Sequence, residues 1–371
     1  MRQLNEIYAK SINYGSLSLL EHTQHVTKAI EVFACNYNFD FNIELARKGA
    51  ILHDLGKAHP HFQRKINNIN GISLDKNRAW NFVHRHEISS LAFLPCFPEN
   101  EWEVLIDMVI GHHKSIENDP SEKGILDLIE HDRDFIANHL IEWGEWSKYG
   151  FAVLQEFGLP VVQISSEKAK GTLEYVIDFC ENKKNGWSPW RGLLMSADHF
   201  ASAFMRTTDI KLKPLFRIPD YSFYYDERRK SSLYPLSEIP TDNDKPYTIV
   251  VAPTGAGKTD FLIRRCKGRL FYTLPFQASI NAMWDRIKSD LAKKNPGLDI
   301  RLLHSTSRIV TNNNIDEQIL QPLAGSSVKI LTPHQLAAII FGTSGFESVM
   351  LDLKGTDVIL DEIHTYSDYS R

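Results

Sequence analysis

The sequence predicts a multidomain chain: an all-α bundle followed by an α/β module built on a parallel sheet. Three observations predict it. Residues 1–205 carry apolar side chains at i, i+3, i+4 spacing in Glu21–Tyr37, Ile43–His53, Glu101–His113 and Trp190–Phe204, which is helical periodicity. No strand-like run occurs before Thr248. From Tyr247 onward, short apolar runs alternate with helical stretches, the order that produces parallel strands with helical crossovers. In sequence these are a strand at Tyr247–Ala252, a helix at Lys258–Cys266 and a strand at Arg269–Leu274. A helix at Ala278–Ala292, a strand at Ile300–His304 and a strand at Val328–Thr332 come next. A helical stretch at His334–Phe341 and a last strand at Asp357–Leu360 complete the series. Between the two halves, residues 206–246 hold Pro214, Pro219, Pro235, Pro240 and Pro246, which break any long helix. The aromatics Phe216, Tyr221, Phe223, Tyr224 and Tyr225 mark this stretch as a packed linker. The expected domains are therefore 1–205, a linker 206–246, and 247–371.

Composition narrows the class. Hydrophobic residues are 43% and charged residues 24% of the 371, a globular balance rather than a disordered one. No run of about 18 apolar residues occurs, which excludes a transmembrane helix and any membrane partner of that kind. The N-terminus lacks the apolar core of a secretory signal, so the expected location is cytoplasmic. Cys35, Cys96, Cys180 and Cys266 are scattered and form no CxxC pair, which argues against a zinc ribbon or a disulfide framework. The net charge is −4; the part before Tyr247 holds 28 basic against 34 acidic residues and the remainder 14 against 12, so neither half is strongly basic. Histidine is the outlier, with 15 residues, 12 of them before Pro246. Imidazole is the commonest metal ligand, and that bias directs the search.

The candidate site residues in the helical half are His22, the pair His53–Asp54, His86, the pair His112–His113, and Asp198. His53–Asp54 stands where an apolar helix ends before Gly56, in AILHDLGKAH. A carboxylate at such a helix end can bridge two cations. His112–His113 ends a second apolar helix, in DMVIGHHK, and His22 lies near the start of another, in LLEHTQHV. The chemistry that needs such a set is phosphodiester hydrolysis. Two divalent ions about 4 Å apart activate water near neutral pH and clamp the attacking and leaving oxygens. Many imidazoles with few carboxylates suit Mn, Fe, Co or Ni better than Mg or Ca. Lys57 adds a positive charge for a phosphate. His25, His59, His61, His84, His131, His139 and His199 are read as ordinary core or surface histidines.

The blocks LLEHTQHVTKA, ARKGAILHDLGKAHPHFQRKI, HRHEISS, VIGHHKS and GLLMSADHFAS resemble the HD-domain nuclease of the CRISPR-associated type I interference nuclease–helicase family. The resemblance covers about the first 205 residues. It implies an HD-domain bundle that binds two divalent transition-metal ions and cuts single-stranded DNA. It implies His22, His53, Asp54, His86, His112, His113 and Asp198 as metal ligands, with His53, Asp54 and Lys57 in the catalytic machinery. The choice of His86 follows the family's His–Glu pair, here His86–Glu87.

In the second half, Ala252-Pro-Thr-Gly-Ala-Gly-Lys-Thr259 matches the P-loop except for Ala252 at the first glycine. Thr254, Gly255, Ala256 and Gly257 form a loop whose N–H groups face phosphate oxygens. Lys258 reaches the β- and γ-phosphates of ATP, and Thr259 ligates Mg²⁺. Asp361-Glu-Ile-His364 follows the last strand; Asp361 would hold the Mg²⁺ and Glu362 would orient the attacking water. Together these resemble the first RecA-like domain of a DExH superfamily 2 helicase, the module that follows the HD domain in the same family. TLPFQASINAMWDRI and LTPHQLAAIIFG resemble its next blocks, although Phe276, Ile280, Met283 and Ile287 serve equally well as core.

The sequence ends at Arg371, soon after the acidic box, so the expectation is an incomplete RecA-like domain without its second partner domain. An interrupted gene product, a piece of a longer protein, or one half completed by a second polypeptide each fit. ATP-driven unwinding is not expected of this chain alone. The expected partners are single-stranded DNA and an RNA-guided CRISPR surveillance complex. Two other readings stay open: an HD phosphohydrolase acting on nucleotides, and a non-catalytic nucleotide- or DNA-binding fragment.

Overall fold

The computed structural model describes residues 4–69, 82–112, 134–182, 187–303, 324–333, 336 and 346–370. The chain divides into two compact units, Met1–Leu212 with Ala338–Leu351, and Lys213–Ala337 with Asp352–Arg371.

The first unit is helical. Its elements are α1 (Leu19–Asn36), α2 (Ile43–Leu52), α3 (Pro60–Ile69), α4 (His86–Leu91) and α5 (Trp102–Ile110). They are followed by α6 (Phe135–His139), α7 (Trp143–Glu156), α8 (Ser166–Asn182), α9 (Pro189–Phe204) and α10 (Thr208–Leu212). Helix α1 starts at a capping box: the Ser18 hydroxyl accepts from Glu21 N–H, and the Glu21 carboxylate accepts from Ser18 N–H. That start fixes the helix phase, so Val26, Ile30 and Phe33 share the buried face with His22 one turn in. Asn42 caps α2, and the helix stops at His53. Asp54 then leaves helical geometry at φ −115°, ψ 4°, and a 3₁₀ turn, Leu55–Ala58, follows. Helix α9 begins at Ser188, with Pro189 at its first position, and is buried nearly all round through Leu193, Leu194, Ala197, Phe200 and Ala201. It is the central helix, packed along α1, α2 and α5, with Phe33 and Phe200 edge to face at 5.6 Å.

The second unit is a four-stranded sheet of β1 (Arg269–Thr273), β2 (Ile300–Leu303), β3 (Val328–Leu331) and β4 (Thr356–Leu360), in order β2-β3-β1-β4. Every pairing is parallel, with Phe271 beside Lys329 and Val358, and Leu302 beside Ile330. Helix α11 (Lys258–Arg264) precedes β1, α12 (Gln277–Leu291) crosses over from β1 to β2, and α13 (Phe346–Leu353), most of which belongs to the first unit, precedes β4. The core joins Leu270, Tyr272, Val328 and Ile330 of the sheet to Ile280, Ile287 and Leu291 of α12. Tyr221 and Tyr224 enter that core from the linker region and tie it down through Gly268 O (3.0 Å) and the Asp290 carboxylate (3.0 Å).

One predicted strand is absent. Tyr247–Ala252 forms no strand and pairs with none among the described residues, and Tyr247, Ile249 and Val251 are 87%, 92% and 95% exposed. Alternation of apolar residues predicts a strand only where a ladder partner exists, and here the backbone is left to water. Phe276 is exposed, whereas Ile280 and Ile287 are core. The predicted helix at His334–Phe341 lies, but for Leu336, outside the described residues. Among the described residues no helix is long and apolar enough to cross a membrane.

Candidate metal centre

Helix ends and faces deliver side chains to one point. Helix α1 brings His22, the end of α2 brings His53 and Asp54, α4 opens with His86, the residue pair after α5 brings His112, and α9 brings Asp198. Asp54 is the hub. Its Oδ2 lies 3.1 Å from His22 Nε2, 3.2 Å from His53 Nε2 and 2.6 Å from Lys57 Nζ; its Oδ1 lies 3.1 Å from His86 Nε2. Asp198 Oδ1 lies 3.1 Å from His22 Nε2 and 3.9 Å from His53 Nε2. Three groups of ligand atoms each fall within 4.8 Å: His22, His53 and Asp54; His53, His112 and Asp198; Asp54, His86 and His112. Asp54 faces two of these groups with its two oxygens, the geometry of a bridging carboxylate. His113 lies outside the described residues.

The outer hydrogen bonds fix the rings. His53 Nδ1–H donates to the Ala50 carbonyl at 2.7 Å, and His112 Nδ1–H to the Val109 carbonyl at 2.6 Å. A carbonyl can only accept, so in the neutral rings each Nε2 keeps the lone pair that a cation at the cluster would take. The Gly56 N–H donates to the Ser90 hydroxyl (2.8 Å), which lies 2.9 Å from both the His53 and His86 carbonyls. Ser90 thus clamps the turn after Asp54 to the helix that starts at His86. A Cβ on Gly56 would stand 2.0 Å from the His86 carbonyl oxygen, so only glycine fits there.

His22, His53, Asp54 and His112 are fully buried, and Asp198 nearly so; the centre opens toward Lys57 and His86. Burial pushes the Asp54 carboxyl up, but His53, Lys57 and His22 outweigh it and hold the group well below the usual carboxylate range. Burial likewise opposes ionisation of Asp198, and His22 and His53 overcome it. Burial pulls the His53 imidazole down, and the Asp54 carboxylate more than reverses that, so the net shift is upward. Both ring nitrogens of His22 and the Nε2 of His53 make no well-directed hydrogen bond although they are sealed from water. Buried polar atoms are normally satisfied, and these converge with anionic oxygens on shared points. The donor set fits divalent metal.

Sequence reasoning missed two residues. Gln63 on α3 accepts from Tyr8 N–H (3.1 Å) and donates to the Tyr8 and Lys57 carbonyls (2.8 and 2.7 Å). Lys10 follows on the same N-terminal segment and lies in the field of Asp198, Asp54 and Lys57; burial draws its ammonium down to about 8 against the pull of Asp198. No helical periodicity or motif spacing marks either position. Of the histidines set aside earlier, His59, His84 and His139 stack on one another at 4.2 and 5.4 Å, and His131 lies outside the described residues.

In the second unit, Gly255 and Gly257 take left-handed φ of 83° and 88°, and Lys258 Nζ spans its own loop to the Ala252 carbonyl at 2.9 Å. Tyr272 OH donates to Asp361 Oδ2 at 2.5 Å, and burial and Asp361 push that tyrosine up against the opposing effect of the neighbouring Thr259 hydroxyl. The loop and the acidic box therefore meet at one strand end. Thr254 is exposed and Ala256 buried. Glu362 is exposed, at a left-handed φ of 54°.

A buried His–Asp cluster at the centre of a helical bundle is the arrangement of an HD domain, and residues 19–132 match the family model described as HD domain. Over 99% of its length the chain is 24% identical to the CRISPR-associated nuclease/helicase Cas3 of Methanothermobacter thermautotrophicus, covering 51% of that protein. Crystal structures of T. fusca Cas3 with ATP and with AMPPNP share the fold at TM-score 0.53 and 16% and 17% identity, over 95% and 96% of this chain and 46% of theirs. The chain thus spans about half the length of the proteins it matches, and the resemblance to the CRISPR-associated nuclease–helicase family runs through both units.

Proposed function

We propose that the helical unit is a metal-dependent nuclease that cuts single-stranded DNA, joined to an ATP-binding helicase module. One observation carries the reading: imidazoles and carboxylates from α1, α2, α4, α5 and α9 converge, buried, on Asp54. Mn, Fe, Co or Ni ions held there would activate water and neutralise phosphate charge. His22, His53, Asp54, His86, His112 and Asp198 are the residues that would hold such ions. Lys57, beside Asp54 at 2.6 Å, would supply a cation for a phosphate oxygen. His113 joins the ligand set on the family resemblance. Lys258, Thr259 and Asp361 hold ATP and Mg²⁺, and Glu362 orients water. The DNA strand and an RNA-guided surveillance complex are the proposed partners.

The rival readings separate in one assay. Purified protein in Mn²⁺ is given circular single-stranded DNA or free nucleotides. Nicking of the circle, lost by about 10³-fold or more in His53→Ala, is expected, since removing a member of an acting unit forfeits most of its rate enhancement. Hydrolysis of nucleotides with an intact circle would favour the phosphohydrolase, and no turnover of either would favour a binding fragment.

A further inference from the structure

We propose that Lys10 is a second phosphate-holding cation of the metal centre, gripping the nucleic-acid backbone beside Lys57; this rests on the nuclease reading above. The N-terminal segment is strapped in place. Tyr8 bridges to Ser18, Ala9 N–H donates to Leu17 O at 2.9 Å, and the Gln63 amide grips both Tyr8 and the Lys57 carbonyl. One side chain thereby sets the backbone positions of both lysine-bearing segments. Lys10 Nζ donates to the Ser202 carbonyl at 3.0 Å, and the Ser202 hydroxyl donates to Asp198 Oδ1 at 3.1 Å. Two of the three ammonium N–H groups of Lys10 have no protein partner among the described residues.

Charge decides what those donors meet. Without metal, Asp54 and Asp198 balance the two lysines. Two divalent ions overturn that balance, because they bring more positive charge than both carboxylates can offset. Lys10 and Lys57 are then cations beside an already positive centre, and an anion is needed to hold them there. A monoester offers one such anion. A single strand offers a phosphate at the cut and another on each side, enough for two separated ammoniums. Lysine suits this role as a mobile point charge.

The test measures binding as well as cutting. Mn²⁺-loaded protein is titrated with a fluorescent oligothymidylate at a series of salt concentrations, and bound Mn²⁺ is counted. Lys10→Gln keeps a donor for Ser202 O and removes the charge. It is expected to bind the same Mn²⁺, to lose about tenfold in affinity, and to lower the slope of log K against log salt by about 0.7, one phosphate contact on a single strand. Lys10→Arg restores both. An unchanged slope and affinity in Lys10→Gln would overturn the proposal. Should that variant unfold, Lys10→Met carries the same comparison of slopes. If Lys10→Gln lowers the slope as expected but wild type never cuts the strand, the nuclease reading fails while the phosphate contact of Lys10 stands; cutting with no change of slope in Lys10→Gln sinks Lys10 alone.

Discussion

Asp54 and Gly56 show how much can rest on single positions. Asp54 is anionic because imidazoles and Lys57 surround it, and it is useful because its two oxygens face different histidines. Gly56 is fixed by contact rather than by φ, since any Cβ there strikes the His86 carbonyl. Gly56→Ala should destabilise the helical unit by about 3 kcal/mol, the upper range for overpacking, because the obstacle is backbone. Urea denaturation followed by helical circular dichroism checks this; a loss below about 0.5 kcal/mol would show that α4 can move aside. Sequence order proposed His22, His53, Asp54, His86, His112 and Asp198 as a set, and the structure brings these six side chains together, because each stands at a helix end or on a helix face. Lys10 and Gln63 were not legible, because a strap held by side-chain to backbone bonds leaves no periodic trace.

At the scale of elements, the parallel sheet was legible from its apolar runs, with β1 to β4 found within a residue or two of expectation. Tyr247–Ala252 failed because strand formation depends on a neighbour that local sequence does not encode. The sheet instead shows a buried charge network that composition hides. Asp352 accepts from Arg269 (2.7 Å), from Lys329 and from Gly325 N–H (2.9 Å). Burial pushes Asp352 up, and Lys329 and Arg269 more than reverse this, drawing it down to about 2. The same burial lowers the Lys329 ammonium, so the pair does more to fix the register of β1 and β3 than to add net stability. A carboxyl lowered on folding stabilises above its unfolded pKa, and that share is lost as pH falls from about 4 toward 2. Asp352→Ala strands two cations and should remove about 3–5 kcal/mol from the sheet unit, along with the acid sensitivity between pH 4 and 2. Thermal melts of both proteins across that range test it; a variant that melts like wild type at pH 7 contradicts it.

Across the whole molecule there are two compact units, one holding the histidine–aspartate cluster and the other the glycine-rich loop. Sequence placed the change of periodicity near Tyr247, whereas the second unit begins at Lys213, and the aromatics that marked the stretch before Tyr247 as packed include Tyr221 and Tyr224, which enter the sheet core. The net charge of −4 gives no sign of a polyanionic substrate; cations bound at the cluster would reverse the local sign at Asp54. Everything therefore turns on whether the cluster takes up ions. Titration of the metal-free protein with Mn²⁺, followed by electron paramagnetic resonance, measures this directly. Wild type should bind a pair of ions with a spin-coupled signal, and Asp54→Ala at most one, uncoupled. Wild type that binds no Mn²⁺, or an Asp54→Ala protein that binds it equally and with the same coupling, would contradict the account.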